Sequence, residues 1–163
     1  MSRAWIGLGS NQDEPARQVR QALAEMKALP DTEVVRYSRL YRTPPWGPVT
    51  GQPDYANAVA EVDTELAPKA LLAALQAMET AHGRVRRERW GPRTLDLDLL
   101  LYDDLTMDTT ELTLPHPRLA ERAFVLVPLA ELAPGLGVPG AALVSELLER
   151  VDTADVVAWE RAS

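Results

Sequence analysis

The sequence predicts an α+β domain in which two helices cover one face of an antiparallel sheet. Segments with strand character and segments with helical spacing follow one another in the order β-α-β-β-α-β, which is typical of a ferredoxin-like sandwich. The chain has 163 residues, a length that fits one compact domain, and 46% of them are hydrophobic, enough for a normal core. We therefore expect one domain over residues 1–163, with additions at its C-terminal end.

The first half of the chain supplies a strand, a helix and a second strand. Residues 3–9 have strand character, and residues 33–42 form a second strand rich in Val, Tyr and Leu. Between them, Asp13 can cap a helix that has Pro15 in its first turn, where a missing N–H is harmless. We expect this helix to run to about Leu29 and to have an apolar face formed by Val19, Leu23 and Met26.

A proline-rich loop precedes the second half of the pattern. Residues 43–54 contain four prolines and two glycines. Because proline cannot donate to a sheet ladder, this segment is a loop, and its length is typical of lids and binding loops. The other predicted elements are a strand at 55–63, a helix from Pro68 to Gly83 with Leu71, Leu75 and Met78 on one face, a strand at 94–102, a hairpin from 105–107 and 112–114, and a helix at 141–151.

The composition restricts the compartment and the partners. There is no cysteine, which excludes disulfides and thiolate metal sites and fits a reducing compartment. No apolar run reaches the length of a membrane span, and the N-terminus lacks the pattern of a signal peptide. The net charge of −7 argues against a nucleic-acid partner. We expect a cytoplasmic monomer with no membrane partner.

Positive charge is concentrated in one short segment of this acidic chain. Residues 84–93 contain five arginines and a single acid, Glu88. Such a basic island suggests a local anionic ligand, because arginine binds phosphate with two-pronged geometry. A solvated arginine-rich loop is the alternative.

The strongest chemical feature is the pair Asp96 and Asp98. In a strand, residues i and i+2 face the same side, so both carboxylates lie opposite Leu95, Leu97 and Leu99. At a spacing of roughly 7 Å the two charges repel by about 2 kcal/mol. Magnesium can offset this repulsion, since it commonly takes one or two carboxylates together with substrate phosphates. The alternative is the exposed polar face of an edge strand, paired with arginines.

Weaker features could complete a small-molecule pocket. Tyr55 and Asn57 share one strand face and could stack on and hydrogen-bond a planar heterocycle. Gln76 and Glu79 lie together on the second predicted helix, where a solvated face is the alternative. His116 is held between two prolines. One histidine cannot define a metal site.

Several stretches together carry a family resemblance. They are GSN at 9–11, YRTPPWG at 41–47, QPDYAN at 52–57, RVRRERWGPRTLDLD at 84–98 and PHPR at 115–118. In order and at compatible spacing, over roughly residues 4–134, they resemble the 6-hydroxymethyl-7,8-dihydropterin pyrophosphokinase family.

The resemblance implies a reaction and a set of residues. ATP would give its pyrophosphoryl group to the hydroxymethyl oxygen of the dihydropterin, releasing AMP, with two magnesium ions bound by Asp96 and Asp98. The implied catalytic residues are Arg84, Arg93, Asp96 and Asp98. The implied ATP contacts are Gln76, Glu79, Arg86, Trp90, Arg93, Leu99, Thr113, His116 and Arg122, and the implied pterin pocket is Thr43, Pro44, Trp46, Tyr55, Asn57, Trp90 and Phe124.

Two other functions are compatible with parts of the pattern. Paired aspartates on such a sheet also serve two-metal nucleotidyltransferases and nucleases. An arginine- and tryptophan-bearing sheet can also bind nucleic acid, with an affinity that falls steeply with salt.

Overall fold

An antiparallel sheet with helices on both faces organises the protein. The computed structural model describes residues 1–12, 14–44, 54–82 and 95–159. The strands are β1 (Ser2–Ser10), β2 (Thr32–Tyr37), β3 (Tyr41–Thr43), β4 (Tyr55–Thr64), β5 (Asp96–Tyr102), β6 (Met107–Asp108), β7 (Thr113–Leu114) and β8 (Val157–Ala158). The helices are α1 (Pro15–Met26), α2 (Pro68–Ala81), α3 (Ala123–Leu132) and α4 (Val144–Glu149).

The strand order of the main sheet is β5-β1-β4-β3-β8, and β2 also pairs with β4. Every strand pair in the described residues is antiparallel, and β6 and β7 form a separate hairpin. The predicted α+β, ferredoxin-like fold is confirmed, with β8 as an additional C-terminal strand. The hairpin predicted near 105–114 is also present.

The first face of the sheet packs against α1 and α2. The predicted apolar faces are confirmed: Val19, Leu23 and Met26 of α1 and Leu71, Leu75 and Met78 of α2 are buried against alternate residues of β1, β4 and β5. Burying each such side chain contributes about 1.5–3 kcal/mol. Because α1 ends at Met26, the helix is shorter than the prediction to Leu29.

The second face is covered by α3 and α4, which pack on Trp5, Val59 and Leu100. Helix α3 was not among the predicted elements, because its sequence AFVLVPLAEL is apolar apart from Glu131 and contains Pro128, so it shows no helical periodicity. Helix α4 lies within the predicted 141–151 but is shorter.

The predicted strand at 33–42 is divided into β2 and β3. Between them, the buried Ser38 donates its backbone N–H to the Val59 carbonyl at 2.8 Å, and its hydroxyl oxygen accepts from the Val59 N–H at 3.0 Å. A side-chain oxygen therefore takes the place of a backbone carbonyl at this point of the ladder, which interrupts the regular pairing.

Candidate active site

The two aspartates lie on the same face of the sheet, as predicted. Asp96 and Asp98 alternate along β5 with Leu95, Leu97 and Leu99, which are buried in the core beneath α1 and α2. The aspartates therefore lie on the opposite face, which α3 and α4 cover only in part. The Asp98 side chain is 42% exposed, so its carboxylate remains accessible to a ligand.

A row of paired residues crosses the sheet at this point. Asn57 on β4 pairs with Gly9 on β1, and Gly9 pairs with Asp96 on β5. Two strand spacings separate Asn57 from Asp96, about 9.5 Å. The glycine between them has no side chain, so only backbone lies between the amide and the carboxylate on this face. In the next row, Gly7 lies beside Asp98 in the same way.

A side chain at position 9 would displace the Asn57 amide. A Cβ added to Gly9 would lie 2.9 Å from Asn57 Oδ1, too close for a normal contact. At Gly7 an added Cβ would be 3.5 Å from Leu100, an ordinary van der Waals distance. The GSN stretch thus contributes bare backbone to the site, and β1 continues to Ser10 before the chain turns.

The Asn57 amide is fixed by a second predicted pterin-pocket residue. Asn57 Nδ2 donates to Thr43 Oγ1 at 2.7 Å, and both side chains are buried. Tyr55 lies on the same face of β4, directly opposite Thr43 on β3. The structure therefore brings Thr43, Tyr55 and Asn57 together at the end of the sheet where the aspartates lie.

A cationic group and an imidazole lie beside Asp98. The nearest guanidinium nitrogen of Arg122 is 4.0 Å from Asp98 Oδ2. Burial lowers the Arg122 pKa, while the negative charges of Asp98 and Asp96 act in the opposite direction. Burial also lowers the His116 pKa, with Asp98 opposing and Arg122 and Arg118 reinforcing the shift.

The backbone positions His116 and Phe124. His116 N–H donates to the Leu100 carbonyl at 2.9 Å, which ties the loop after β7 to β5 close to Asp98. Arg118 N–H donates to His116 Nδ1 at 3.3 Å, so the neutral ring carries its proton on Nε2. Phe124, in the first turn of α3, lies 5.5 Å from the Arg122 guanidinium carbon, measured to the ring centre.

A cavity of about 300 Å³ opens beside these groups. This volume is at the lower end of the range for small-molecule sites. Its walls include Thr43, Pro44, Arg122 and Phe124, all of them predicted site residues, with Arg118, Glu121, Ala123, Asp152, Asp155 and Val156. Sequence reasoning missed Asp152 and Asp155, which follow α4 and carry no local motif.

Some predicted ATP contacts lie elsewhere. The Leu99 side chain is buried in the core beneath α1 and α2, so it faces away from the aspartates. Glu79 is buried, and its carboxylate accepts from the Leu97 N–H at 2.8 Å. The alternative of a solvated face is therefore wrong for Glu79, although Gln76 is exposed. Thr113 is half-buried in β7.

Several predicted residues lie outside the described parts of the chain. They are Trp46, Arg84, Arg86, Trp90 and Arg93. The predicted capping residue Asp13 is also outside them. Their roles remain predictions from the sequence.

The donor set around the aspartates fits magnesium. Both groups offer hard oxygen atoms, and the described residues contain no cluster of three or more carboxylate, imidazole or thiolate ligands. Magnesium seldom needs such a cluster, because it keeps waters and binds phosphate oxygens in addition to one or two carboxylates.

An acidic pair with Arg122 beside it, next to a small-molecule cavity, is typical of enzymes that transfer phosphoryl groups. The chain belongs to the 7,8-dihydro-6-hydroxymethylpterin-pyrophosphokinase family, whose model matches residues 5–134. The family resemblance seen in the sequence is thereby confirmed. Residues 135–163, which include α4 and β8, lie beyond the matched part.

Individual relatives support the same assignment. The chain is 49% identical over 148 residues to the 2-amino-4-hydroxy-6-hydroxymethyldihydropteridine pyrophosphokinase of Pseudomonas aeruginosa, covering 91% of each chain. It is 45% identical over 150 residues to the enzyme of the same description from Haemophilus influenzae, covering 92% of this chain and 93% of the relative.

A solved structure supports the fold. The Plasmodium falciparum HPPK-DHPS wild type with pteroate matches with a TM-score of 0.72 at 14% identity, over 91% of this chain. The match spans 42% of that longer chain and concerns the fold alone. Within the residues that the structure describes, no helix combines the length and the apolar character of a membrane span.

Proposed function

We propose that this protein transfers the pyrophosphoryl group of ATP to the hydroxymethyl oxygen of 6-hydroxymethyl-7,8-dihydropterin, giving the pterin diphosphate and AMP in folate biosynthesis. Family membership supports the reaction. The observation that supports its location is the row Asn57–Gly9–Asp96, in which an amide that could bind a heterocycle and a carboxylate that could bind a metal lie on one face of the sheet.

The pterin binds at the Asn57 end of this row. Since Asn57 Nδ2 is engaged by Thr43, its Oδ1 is directed over Gly9 and can accept a hydrogen bond from a ring N–H or amino group. Tyr55 and Phe124 supply aromatic surface, and Trp46 and Trp90 add to it according to the family resemblance. Asn57 thereby orients the ring so that its hydroxymethyl group extends toward Asp96.

The triphosphate binds at the Asp96–Asp98 end. Arg122 and His116 lie next to Asp98 and can donate to phosphate oxygens. Arg84 and Arg93 join them in our proposal, on the strength of the sequence match. Two magnesium ions held by Asp96 and Asp98 would neutralise phosphate charge and link the triphosphate to the sheet.

The reaction itself asks for little beyond positioning and charge neutralisation. The hydroxymethyl oxygen forms a bond to the β-phosphorus of ATP, and the bond from that phosphorus to the oxygen bridging toward the α-phosphorus breaks, so that AMP leaves. Asn57 on β4 and Asp96 on β5 are held at a fixed separation because both strands pair with β1, and this would fix the approach of the alcohol to the phosphate. Preorganised geometry of this kind removes much of the entropic barrier.

One assay tests the proposal. The purified protein is incubated with ATP, magnesium and 6-hydroxymethyl-7,8-dihydropterin, and the products are separated. We expect AMP and the pterin diphosphate in equal amounts, with neither product when the pterin or the magnesium is omitted. Release of inorganic pyrophosphate with a nucleotidylated product would instead indicate a nucleotidyltransferase.

A further inference from the structure

A buried carboxylate on α2 contacts the backbone of the strand that carries the two aspartates. Glu79 is only 6% exposed, and its Oε2 accepts the backbone N–H of Leu97 at 2.8 Å. Leu97 is the residue between Asp96 and Asp98. The hydrogen bond therefore acts at the midpoint of the acidic pair.

The position of β5 in the sheet explains why this N–H needs a side-chain acceptor. Within the described residues, β5 pairs with β1 on one side and has no strand on its other side. Leu97 is buried, so water cannot readily serve its N–H. An unsatisfied buried N–H is costly, and a carboxylate is a stronger acceptor than a carbonyl.

We propose that Glu79 is a positioning residue for the reaction: it fixes the backbone of β5 between Asp96 and Asp98, so that both carboxylates meet magnesium in one geometry. This inference rests on the proposed function of the aspartates. It differs from the ATP contact implied for Glu79 by the family resemblance, because the carboxylate acts here through Leu97.

The packing around the contact fits a positioning role. Leu75 and Met78 of α2 lie in the same core as Leu97 and Leu99, so the helix already rests on β5. That apolar contact sets the distance between helix and strand, and the pairing with β1 sets the register of β5. The directional Glu79 hydrogen bond adds a polar contact at Leu97, between the two aspartates.

The first experiment measures the hydrogen bond without using activity. Amide hydrogen exchange of Leu97 is compared in the wild type, Glu79→Ala and Glu79→Gln by NMR. We expect Glu79→Ala to accelerate exchange at Leu97 by about tenfold or more, since a charge-assisted hydrogen bond is lost. Glu79→Gln should remain close to the wild type because its amide oxygen can still accept. Thr80→Ala, an exposed neighbour on the same helix, serves as the control and should leave Leu97 unchanged.

The second experiment measures the consequence for magnesium. We expect the magnesium concentration for half-maximal turnover to rise about tenfold in Glu79→Ala and to stay within about threefold of the wild type in Glu79→Gln. The KM for ATP at saturating magnesium should change little in either variant. A residue with only a structural role would change the melting temperature and leave the magnesium dependence as it is.

The outcomes separate this inference from the proposed function. If Glu79→Gln loses turnover or ATP affinity while Leu97 remains protected, Glu79 contacts the nucleotide and the positioning role is wrong. If Leu97 exchanges at the wild-type rate in Glu79→Ala, the role is wrong as well. Should Glu79→Ala fail to fold, Glu79→Gln alone decides between the two roles. Absence of AMP formation by the wild type would overturn the proposed function, and the exchange result would still report on Glu79.

Discussion

Glu61 and Asp98 are carboxylates on the same face of one sheet, but their surroundings differ. The Glu61 side chain is 2% exposed and forms ion pairs with Arg3 and Arg36 at the far end of β4. The Asp98 side chain is 42% exposed, and its nearest described cation, Arg122, is 4.0 Å away. Arginines of the protein itself neutralise the Glu61 carboxylate, whereas the Asp98 carboxylate leaves room for a ligand.

We interpret this difference as that between a carboxylate with a structural role and a carboxylate that is available to a ligand. A buried carboxylate with two arginine partners is costly to disrupt, because two ion pairs are lost together, although Arg3 keeps its second partner, Asp63. A carboxylate pair that is left half open costs repulsion in the free protein and gains most when a cation binds. Substitutions at the two positions should therefore affect different quantities.

The largest effect is expected at the open pair. Asp96→Asn and Asp98→Asn should each lower turnover by about a hundredfold or more, because a carboxylate that holds magnesium is lost. The melting temperature should change little, since relief of the like-charge repulsion opposes the loss of attraction to Arg122. Turnover and thermal unfolding measured on the same preparations check this. Near-normal magnesium-dependent turnover in both variants would contradict the metal assignment.

The closed carboxylate should show the reverse pattern. Glu61→Gln removes the acid from the Arg3 and Arg36 pairs and should reduce the free energy of unfolding by about 3 kcal/mol or somewhat less, because both arginines are partly solvated. Turnover per folded molecule should be unchanged. Urea unfolding and the product assay measure the two quantities. A Glu61→Gln variant that is stable but inactive would contradict the assignment of different roles to Glu61 and Asp98.

Two glycines of β1 test the role of Asn57 near Asp96. Gly9→Ala should raise the KM for the pterin about tenfold, because its Cβ would displace Asn57 Oδ1. Gly7→Ala is the matched control on the same strand and should change this KM little, since only an ordinary contact with Leu100 forms. Equal effects of the two substitutions would argue against Asn57 as the pterin-binding amide.

The smallest effect concerns a contact between β3 and α3. Burial and a hydrogen bond to Glu131 raise the pKa of Tyr41 to about 12. Because the folded protein favours the protonated phenol, this contribution to stability is complete below the ordinary pKa of 10.0 and is lost as the pH rises through about 12. Ultraviolet titration of tyrosinate should show one late transition that is absent in Tyr41→Phe. Its persistence in Tyr41→Phe would contradict the assignment.

The sequence predicts most of the first face of the sheet and less of the second. The helical spacing of Val19, Leu23 and Met26 and of Leu71, Leu75 and Met78 identifies the helices that form the first core. The period-two pattern of Asp96 and Asp98 correctly assigns them to one face. These features are local, so the residues that predict each of them lie within one short segment of the sequence.

Other features depend on contacts that no local pattern reveals. Helix α3 is apolar apart from Glu131 and contains Pro128, so its sequence lacks a helical period. The helical spacing of Glu79 and Gln76 suggests an exposed pair. Only the packing of α2 against β5 shows that Glu79 accepts the Leu97 N–H. Asp152 and Asp155 line the cavity because the chain after α4 passes beside it.

Binding of manganese as a probe for magnesium tests the central claim most directly. Wild-type protein and the Asp96→Asn/Asp98→Asn double variant are titrated with Mn²⁺ in the presence of a non-hydrolysable ATP analogue, and bound metal is measured by electron paramagnetic resonance. We predict two protein-dependent ions in the wild type and none beyond those carried by the free nucleotide in the double variant. The same number and affinity of bound ions in both proteins would contradict a metal site at the two aspartates.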